Sequence, residues 1–222
     1  MTAVAEQESP TGDQKRWTRR RGPLGENVAR TISLLQARFL APAPGPEAVA
    51  ALARLRRGIG REPGFDYTLD NYLSVPEKLI GDWVRFDTPS DAERAKHDAV
   101  TLYALHQQSQ RDPMHVDGRG LGQAIAQLSR ASGGPEGVRR RFAALGTAIS
   151  YDETLYHLRS LTVMLREHHL PLDYGLLADD LKTLRQPGGR LKMQAAWGRE
   201  FFRSKPTETE ESETDTNEET LP

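Results

Sequence analysis

The sequence predicts an all-α fold made of two helical-bundle-like halves. Apolar residues recur at the three- and four-residue spacing of one helix face through nearly all of residues 23–205. Residues with high helix propensity, namely Ala, Leu, Arg, Gln and Glu, are abundant in the same region. No segment shows the convincing apolar–polar alternation of a half-buried strand. These three observations favour packed helices over a sheet.

Two helices are predicted in the first sixty residues. The first has a stripe of apolar residues at helical spacing, formed by Val28, Ile32, Leu35 and Phe39. Pro46 suits the first turn of the second helix, because the amide hydrogen that proline lacks would have no helical partner there. The predicted apolar face of this second helix consists of Val49, Leu52, Leu55 and Ile59. Gly58 and Gly60 mark its end.

Residues 61–89 are less regular, and we expect short helices there. Their role would be to close over the core with the side chains of Tyr67, Tyr72, Leu73, Leu79 and Trp83. Ser90 and Glu93 have the three-residue spacing of a capping box, which predicts the start of a long helix. We expect this helix to run to about Arg111, because Asp112 and Pro113 follow.

A glycine-rich junction after residue 115 separates the second half, residues 116–205, from the first half, residues 23–115. One predicted helix contains Leu121, Ala124, Ile125 and Leu128, and the next has an inward stripe of Val138, Phe142, Leu145 and Ile149. Ser150 and Glu153 form a second capping-box pattern ahead of the strongest helical pattern. The last two helices are marked by Leu176, Leu177, Leu181 and Leu184, and by Met193, Trp197 and Phe201.

The two ends of the chain have compositions typical of disorder. Residues 1–22 form a basic arm, and residues 206–222 form an acidic tail with seven acids and no base. The overall charge of −1 therefore hides a basic body, since the rest of the chain has 30 basic and 24 acidic residues. Of the 30 basic residues 24 are Arg, which binds phosphate bidentately. A GC-rich genome would also favour Arg codons. The positions of the arginines must therefore decide between a phosphate-binding role and codon bias.

The residues that usually carry catalysis or bind metal are missing or poorly arranged. The chain has no Cys, and its six histidines form no HExxH pair, so we expect no metal site and no cofactor. No nucleophile has a base at a recognisable spacing, and there is no GxSxG motif and no P-loop. We therefore expect no enzymatic activity. The sequence lacks a signal peptide and any 18-residue apolar run, which predicts a cytoplasmic protein without a membrane segment.

Arginines cluster on two of the predicted helices. Arg139, Arg140 and Arg141 are consecutive, and with the apolar stripe inward Arg140 points outward with its neighbours on either flank. Three cations within one turn repel one another, and a polyanion would relieve that repulsion. The second helix contributes Arg54, Arg56 and Arg57, of which Arg56 sits beside the apolar face, and Arg61 extends the patch past Gly60. The simpler reading of each arginine taken alone is a solvated surface residue.

The aromatic residues do not interleave with these arginines in the sequence, as a platform for stacking single strands would require. Most of them fall in the predicted core stripes. Any nucleic-acid binding is therefore expected to be directed at the phosphate backbone, sensitive to salt and indifferent to base sequence.

A succession of short segments resembles the CasB family, the small subunit of the type I-E CRISPR complex Cascade. The resemblance covers about residues 24–203. It lies in Ala51-Leu52-Ala53-Arg54-Leu55-Arg56-Arg57-Gly58, Tyr103-Ala104-Leu105-His106-Gln107, Leu121-Gly122-Gln123-Ala124, Arg140-Arg141-Phe142, Leu158-Arg159, Pro171-Leu172-Asp173-Tyr174, Asp179-Asp180-Leu181 and Trp197-Gly198-Arg199.

This resemblance implies an all-helical, non-catalytic protein, present in two copies within the complex. Its partners would be the large and backbone subunits, crRNA, and target double-stranded DNA with its displaced strand. Its basic face would hold the displaced strand and so stabilise the R-loop. By resemblance, the nucleic-acid contacts fall on Arg57 and Arg139–Arg141, and also on Arg94 and Arg159. Ser160 stands where some relatives have a second base.

Two other functions remain open on the residues alone. The chain could be a free-standing helical nucleic-acid-binding protein, although no recognition helix with residues poised for base edges is clear. It could also be a structural adaptor whose arginines pair with acidic partner proteins.

Overall fold

The computed structural model of the chain describes residues 19–81 and 87–204. Within these ranges the chain forms ten α-helices and one short 3-10 helix (Tyr67–Leu69), with no β-strand, which confirms the predicted all-α class. The helices are α1 (Pro23–Phe39), α2 (Pro46–Arg57), α3 (Asp70–Leu73), α4 (Glu77–Ile80), α5 (Asp91–His106), α6 (Leu121–Ala131), α7 (Pro135–Thr147), α8 (Tyr151–Glu167), α9 (Tyr174–Leu184) and α10 (Gly189–Arg203).

Most helices begin where the sequence signals predict. Proline occupies the first turn of α1, α2 and α7. At α5 the full capping box forms, since the Ser90 side chain accepts the Glu93 amide and the Glu93 carboxylate accepts the Ser90 amide. At α8 only half of the box forms. Ser150 caps the Glu153 amide, but the Glu153 carboxylate accepts the amide of Ile149 instead.

Helix α5 is the centre of the molecule and packs against α1, α2, α8 and α9. Twelve of its 16 residues are buried, whereas a surface helix buries only one stripe. Alanines at 92, 95, 99 and 104 are all buried, and their small side chains let neighbouring helices approach from several sides. The buried Tyr103 ring packs edge-on against Tyr174 of α9, with ring centroids 5.5 Å apart.

Two glycines allow helices to cross at short distance. A Cβ on Gly122 of α6 would lie 2.1 Å from the Trp197 carbonyl oxygen of α10. A Cβ on Gly25 of α1 would lie 2.7 Å from the Gly175 carbonyl oxygen of α9, and it would also clash with Asp179. Only a residue without a side chain permits these crossings. The pairs α6–α10 and α1–α9 are among the most closely packed in the fold.

Residues 19–22, at the end of the predicted basic arm, are held against α9 by buried carboxylates. Arg19 pairs with Asp180, whose side chain is almost fully buried and also accepts the Trp197 indole N–H at 2.7 Å. Arg21 pairs with Asp173, the N-cap residue of α9. Asp179 accepts the amides of the two glycines at 22 and 25. The rest of the arm, residues 1–18, and the predicted acidic tail lie outside the described residues.

Asp173 also ties the glycine-rich junction to α9. Its carboxylate accepts the Gly118 amide at 2.7 Å, and its own amide donates to the Arg119 carbonyl oxygen at 2.8 Å. Immediately before it, Leu172 forms an isolated parallel bridge with His115. Gln36 of α1 holds the other side of His115 through both backbone groups. The junction is thereby fixed by side chains from two helices.

Four sequence expectations differ from the structure. Ile149 is 80% exposed because α7 ends at Thr147, and Ala148 is buried instead. Val49 is 46% exposed, since Ala48 and Ala51 of α2 face the core. Tyr67 is 89% exposed rather than closing over the core. Helix α5 ends at His106, five residues before the predicted end.

The early end of α5 has a local cause. The Gln107 side-chain amide donates to the carbonyl oxygens of Gln110 and Asp112, and its oxygen accepts the Met114 amide. These hydrogen bonds satisfy the backbone of a loop where the helix would otherwise continue. Trp83, which was also predicted to cover the core, lies outside the described residues.

Helices on both sides of residue 115 share one hydrophobic core. Residues of α1, α2 and α5 belong to the same buried cluster as residues of α6 to α10. The division into halves at residues 23–115 and 116–205 therefore stays a prediction about the units of folding. No helix in the described part of the chain is long and apolar enough to cross a membrane.

Candidate nucleic-acid interface

The C-terminal end of α2 places three arginines around one open concavity of about 450 Å³. Arg54, Arg57 and Arg61 are all exposed and line it. Two of them form one hydrogen bond each with other described residues. Arg54 donates to the Thr68 hydroxyl at 2.9 Å, and Arg57 donates from Nε to the Ala53 carbonyl oxygen at 3.4 Å. Because a guanidinium has five N–H donors, most remain available to a ligand.

The wall opposite α2 is the segment that leads into the 3-10 helix. It contributes Phe65, Asp66, Tyr67 and Thr68 to the concavity. Asp66 accepts both the amide and the hydroxyl of Thr68. These hydrogen bonds, with the charges of Arg54 and Arg57, hold the pKa of Asp66 below its ordinary value. The Asp66 carboxylate is thus engaged by Thr68 and forms no direct ion pair with these arginines.

Arg56 is half-buried beside the apolar face of α2. Burial, followed by repulsion from Arg166 and Arg57, lowers the pKa of Arg56. The two charges therefore add to one positive potential between the C-terminal ends of α2 and α8. Arg166, which sequence reasoning left uninterpreted, therefore belongs to the same basic region.

The predicted triplet lies exposed on α7. Val138 and Leu145 of that helix are buried, and the half-buried Phe142 stacks on Phe201 of α10 with ring centroids 4.8 Å apart. With that face inward, the residues at 139, 140 and 141 are all exposed. Arg139 pairs with Glu136 at 3.1 Å, and Arg141 donates to the Gly137 carbonyl oxygen at 3.1 Å.

The two remaining predicted contacts differ from each other. Arg159 is exposed on α8, two turns before Arg166 and therefore on the same helix face, about 10 Å away along the helix. Arg94 instead forms an ion pair with Glu62, and its side chain is only 20% exposed. That hydrogen bond, opposed by partial burial, raises the pKa of Arg94. Among the predicted contacts, Arg94 is thus the one whose guanidinium is most engaged by other residues of the chain.

The structure brings the arginines at the end of α2 together in one concavity. The charge of Arg166 on α8 acts on Arg56, and α8 packs against α7, which bears the triplet. Among the described residues, no carboxylate lies within ion-pairing distance of Arg57, Arg140 or Arg159. These exposed arginines on α2, α7 and α8 can bind a polyanion through its phosphates.

Tyr67 is the residue that sequence reasoning missed at this site. It was expected to face the core, yet its ring lies at the edge of the arginine concavity. A signal was present in the sequence. An Asp two residues before a Thr favours a turn in which the carboxylate accepts the Thr amide, and such a turn projects its central residue outward. Here the central residue is Tyr67.

The described residues contain no group of three or more His, Asp or Glu side chains arranged to hold a metal ion. Three of the histidines, at 97, 106 and 115, are buried in the interior. His106 Nδ1 contacts the Tyr174 hydroxyl at 2.9 Å, His97 Nδ1 contacts the Asp98 carboxylate at 3.1 Å, and His115 Nε2 lies 3.9 Å from the Asp117 carboxylate.

Comparison with known proteins gives a family and related structures. The family model of CRISPR-associated protein Cse2 matches residues 51–202. The crystal structure of CasB from Thermobifida fusca is 38% identical, with a TM-score of 0.69, and the match covers 82% of this chain and 99% of that one. No protein with a curated description matches significantly.

Two further structures share the fold at lower identity. The crystal structure of M. ruber CasB is 22% identical, with a TM-score of 0.56 and coverage of 84% of this chain and 98% of that one. A chain of a CRISPR RNA-guided surveillance complex is 23% identical, with a TM-score of 0.53 and coverage of 85% and 98%. At these identities the similarity shows a shared fold and nothing further.

Proposed function

The chain belongs to the family of CRISPR-associated protein Cse2, and from that premise we propose that it is a non-catalytic subunit of an RNA-guided surveillance complex of the Cascade type. In that complex it helps to bind crRNA and target DNA. Its arginine face holds the displaced, non-target DNA strand and so stabilises the R-loop. A second copy of the chain, the large subunit and the backbone subunits are its protein partners.

One observation carries the proposal: α2, α7 and α8 bear exposed arginines, Arg57, Arg140 and Arg159, for which the described residues provide no carboxylate partner. The proposed contacts are Arg54, Arg56, Arg57 and Arg61 with α2, Arg139, Arg140 and Arg141 on α7, Arg159 on α8, and Arg94 on α5. Arg94 and Arg139 are expected to contribute least, because each has an intramolecular carboxylate partner. Arginine held on rigid helices suits contact with a phosphate backbone of any sequence.

The energetics of strand exchange make such contacts sufficient. The RNA–DNA heteroduplex formed is about as stable as the DNA duplex that it replaces, so the exchange is nearly balanced. A few arginine–phosphate contacts to the displaced strand then favour the open state. Under this proposal the subunit binds nucleic acid and performs no chemistry.

The test is the double variant Arg57→Ala/Arg140→Ala in the assembled complex. We expect the fold and the assembly to persist while R-loop yield falls, measured by permanganate reactivity of thymines in the displaced strand. Loss of two phosphate contacts should make the slope of log affinity against log salt shallower by about 1.4, at about 0.7 per single-strand phosphate. The matched control is Arg30→Ala/Arg199→Ala, which removes two exposed arginines from α1 and α10.

The outcomes separate the rival functions. An unchanged R-loop yield and salt slope in the double variant would overturn the proposal. If Arg57→Glu/Arg140→Glu instead prevents assembly of the complex, the arginines bind an acidic protein partner and the chain is a structural adaptor. If the isolated chain prefers one duplex sequence in a mobility-shift assay, it is a free-standing regulator.

A further inference from the structure

The concavity at the end of α2 combines features that a simple phosphate-binding surface does not need. Its three arginines surround an aromatic ring that is 89% exposed, Tyr67. The second ring, Phe65, is half-buried and lies below Arg61, whose guanidinium carbon is 6.0 Å from the ring centroid. An exposed aromatic side chain taken alone is ordinary. An exposed ring that shares a concave surface with three arginines, for which the described residues show no ion pair, indicates a ligand with both an anionic and a planar part.

The backbone beneath Tyr67 is fixed even though its ring is free. The 3-10 helix is anchored by Leu69, which is 1% exposed and belongs to the main core. On the other side, Asp66 caps this turn by accepting the Thr68 amide at 3.0 Å. Arg54 reaches across from α2 and donates to the same Thr68. The ring is therefore presented by a rigid platform, which lowers the entropic cost of stacking a ligand on it.

The arginines are arranged for the anionic part of the ligand. Arg54 and Arg57 are three residues apart and therefore share a face of α2. Arg61 follows a turn in which Gly60 has a φ of +75°, and this turn brings the chain back to the concavity. The one acid of the lining, Asp66, is bound to Thr68. The three guanidinium groups can therefore contact phosphates on either side of a stacked base.

We propose that this concavity is a subsite for one nucleotide of a single strand, in which Tyr67 stacks on the base and the three arginines contact the adjoining phosphates. This inference rests on the proposed function and extends it, because it adds contact with a base to binding that was expected to involve the phosphate backbone alone. Every base has a planar face, so such stacking is still indifferent to sequence. Tyr67 is then a positioning residue that fixes the path of the strand.

The test compares two strands of equal length on the full-length chain, by fluorescence anisotropy. One is an ordinary single-stranded oligodeoxynucleotide, and the other has a stable abasic analogue at every position. For Tyr67→Ala, we expect affinity for the ordinary strand to fall about 5- to 150-fold, the range measured for loss of one base–aromatic stack. Affinity for the abasic strand should not change. Tyr67→Phe should bind both strands as the unaltered protein does.

A matched control is Phe202→Ala, which removes another exposed ring, 84% exposed, at the end of α10 and outside the arginine clusters. It should leave both affinities unchanged. If Tyr67→Ala weakens neither strand while the unaltered protein binds both equally, the stacking proposal is overturned and the phosphate-binding function stands. If the unaltered protein binds neither strand, both proposals are overturned. An equal loss of affinity for both strands would show that Tyr67 positions the arginines and does not stack on a base.

The strand that occupies the subsite can be identified in the assembled complex. A photo-crosslinking amino acid at position 67 should form a covalent product with the displaced DNA strand or with crRNA, and labelling each in turn distinguishes the two. The same amino acid at position 202 serves as the control. A product with protein subunits alone, and none with either nucleic acid, would overturn the proposal.

Discussion

At the scale of single residues, the interior contains titratable groups held in their neutral form. His106 is fully buried between α5 and α9, and its Nδ1 lies at hydrogen-bond distance, 2.9 Å, from the hydroxyl of Tyr174. Burial lowers the pKa of His106 to about 3, well below its ordinary value of 6.5. Burial also lowers the pKa of His115. Both side chains pack against the Tyr174 ring, so the centre of the fold depends on their remaining uncharged.

This arrangement predicts a loss of stability in acid. Between pH 3 and 6.5 the unfolded chain binds a proton at His106 and the folded chain does not. The free energy of unfolding should therefore fall as the pH drops below 6.5, by at most about 1.4 kcal/mol per pH unit for this one group. His106→Gln should show a shallower fall between pH 6.5 and 4.5. Urea denaturation at several pH values measures both, and parallel curves would contradict the assignment.

At the scale of helices, close crossings rather than long apolar stripes decide which pairs pack. Gly122 of α6 lies under the α10 backbone at Trp197, and this contact holds the C-terminal helix in place. The buried Trp197 ring then reaches Asp180 of α9. One glycine therefore controls the approach of two helices and, through the indole, the position of a third.

Gly122→Ala is expected to destabilise the protein by about 3 kcal/mol, at the upper end of the usual cost of overpacking, because the new methyl group meets backbone atoms that cannot move independently. Gly198→Ala is the matched control on α10, where a Cβ would meet nothing within 4 Å. It should stabilise the helix by about 0.5–1 kcal/mol. Thermal denaturation of both variants measures the difference, and equal effects would show that the crossing tolerates a side chain.

The positions of the helices could be predicted from the sequence, but their crossings could not. Capping residues such as Ser90 act within one turn, so their effect can be read locally. The role of Gly122 depends on a residue 75 positions away and leaves no local pattern. The arginines of the candidate site were found because they cluster in the sequence. Arg166 and Tyr67 were missed, since their neighbours come from other segments or from an unrecognised turn.

At the scale of the whole molecule, charge is divided between inside and outside. Arg19 forms an ion pair with the buried Asp180 of α9, and Arg21 forms one with the buried Asp173 at the N-cap of that helix. The arginines of α2 and α7 face solvent instead, and apart from the pair between Arg139 and Glu136 the described residues show no ion pair for them. Arginine thus serves two purposes in this protein. The position of the nearest carboxylate determines whether an arginine pairs inside the fold or faces solvent.

The contact between Arg19 and Asp180 closes the molecule, because it joins the start of the described chain to a helix 161 residues later. Removing Arg19 would leave the buried Asp180 with the Trp197 indole as its only remaining described partner, and breaking a buried ion pair in this way is costly. For Arg19→Met we expect a loss of about 3 kcal/mol, at the low end for buried pairs because the Arg19 side chain is 29% exposed.

Arg20→Met is a matched control one residue away, since Arg20 is exposed, and it should change the free energy of unfolding by less than about 0.5 kcal/mol. Asp180→Asn added to Arg19→Met should restore part of the loss, because the neutral amide needs no counter-ion and its oxygen still accepts the Trp197 indole N–H. A double-mutant cycle by guanidinium denaturation measures this coupling. If Arg19→Met and Arg20→Met proved equally harmless, the N-terminal segment would not close the fold, and burial of Asp180 would need another source of compensation.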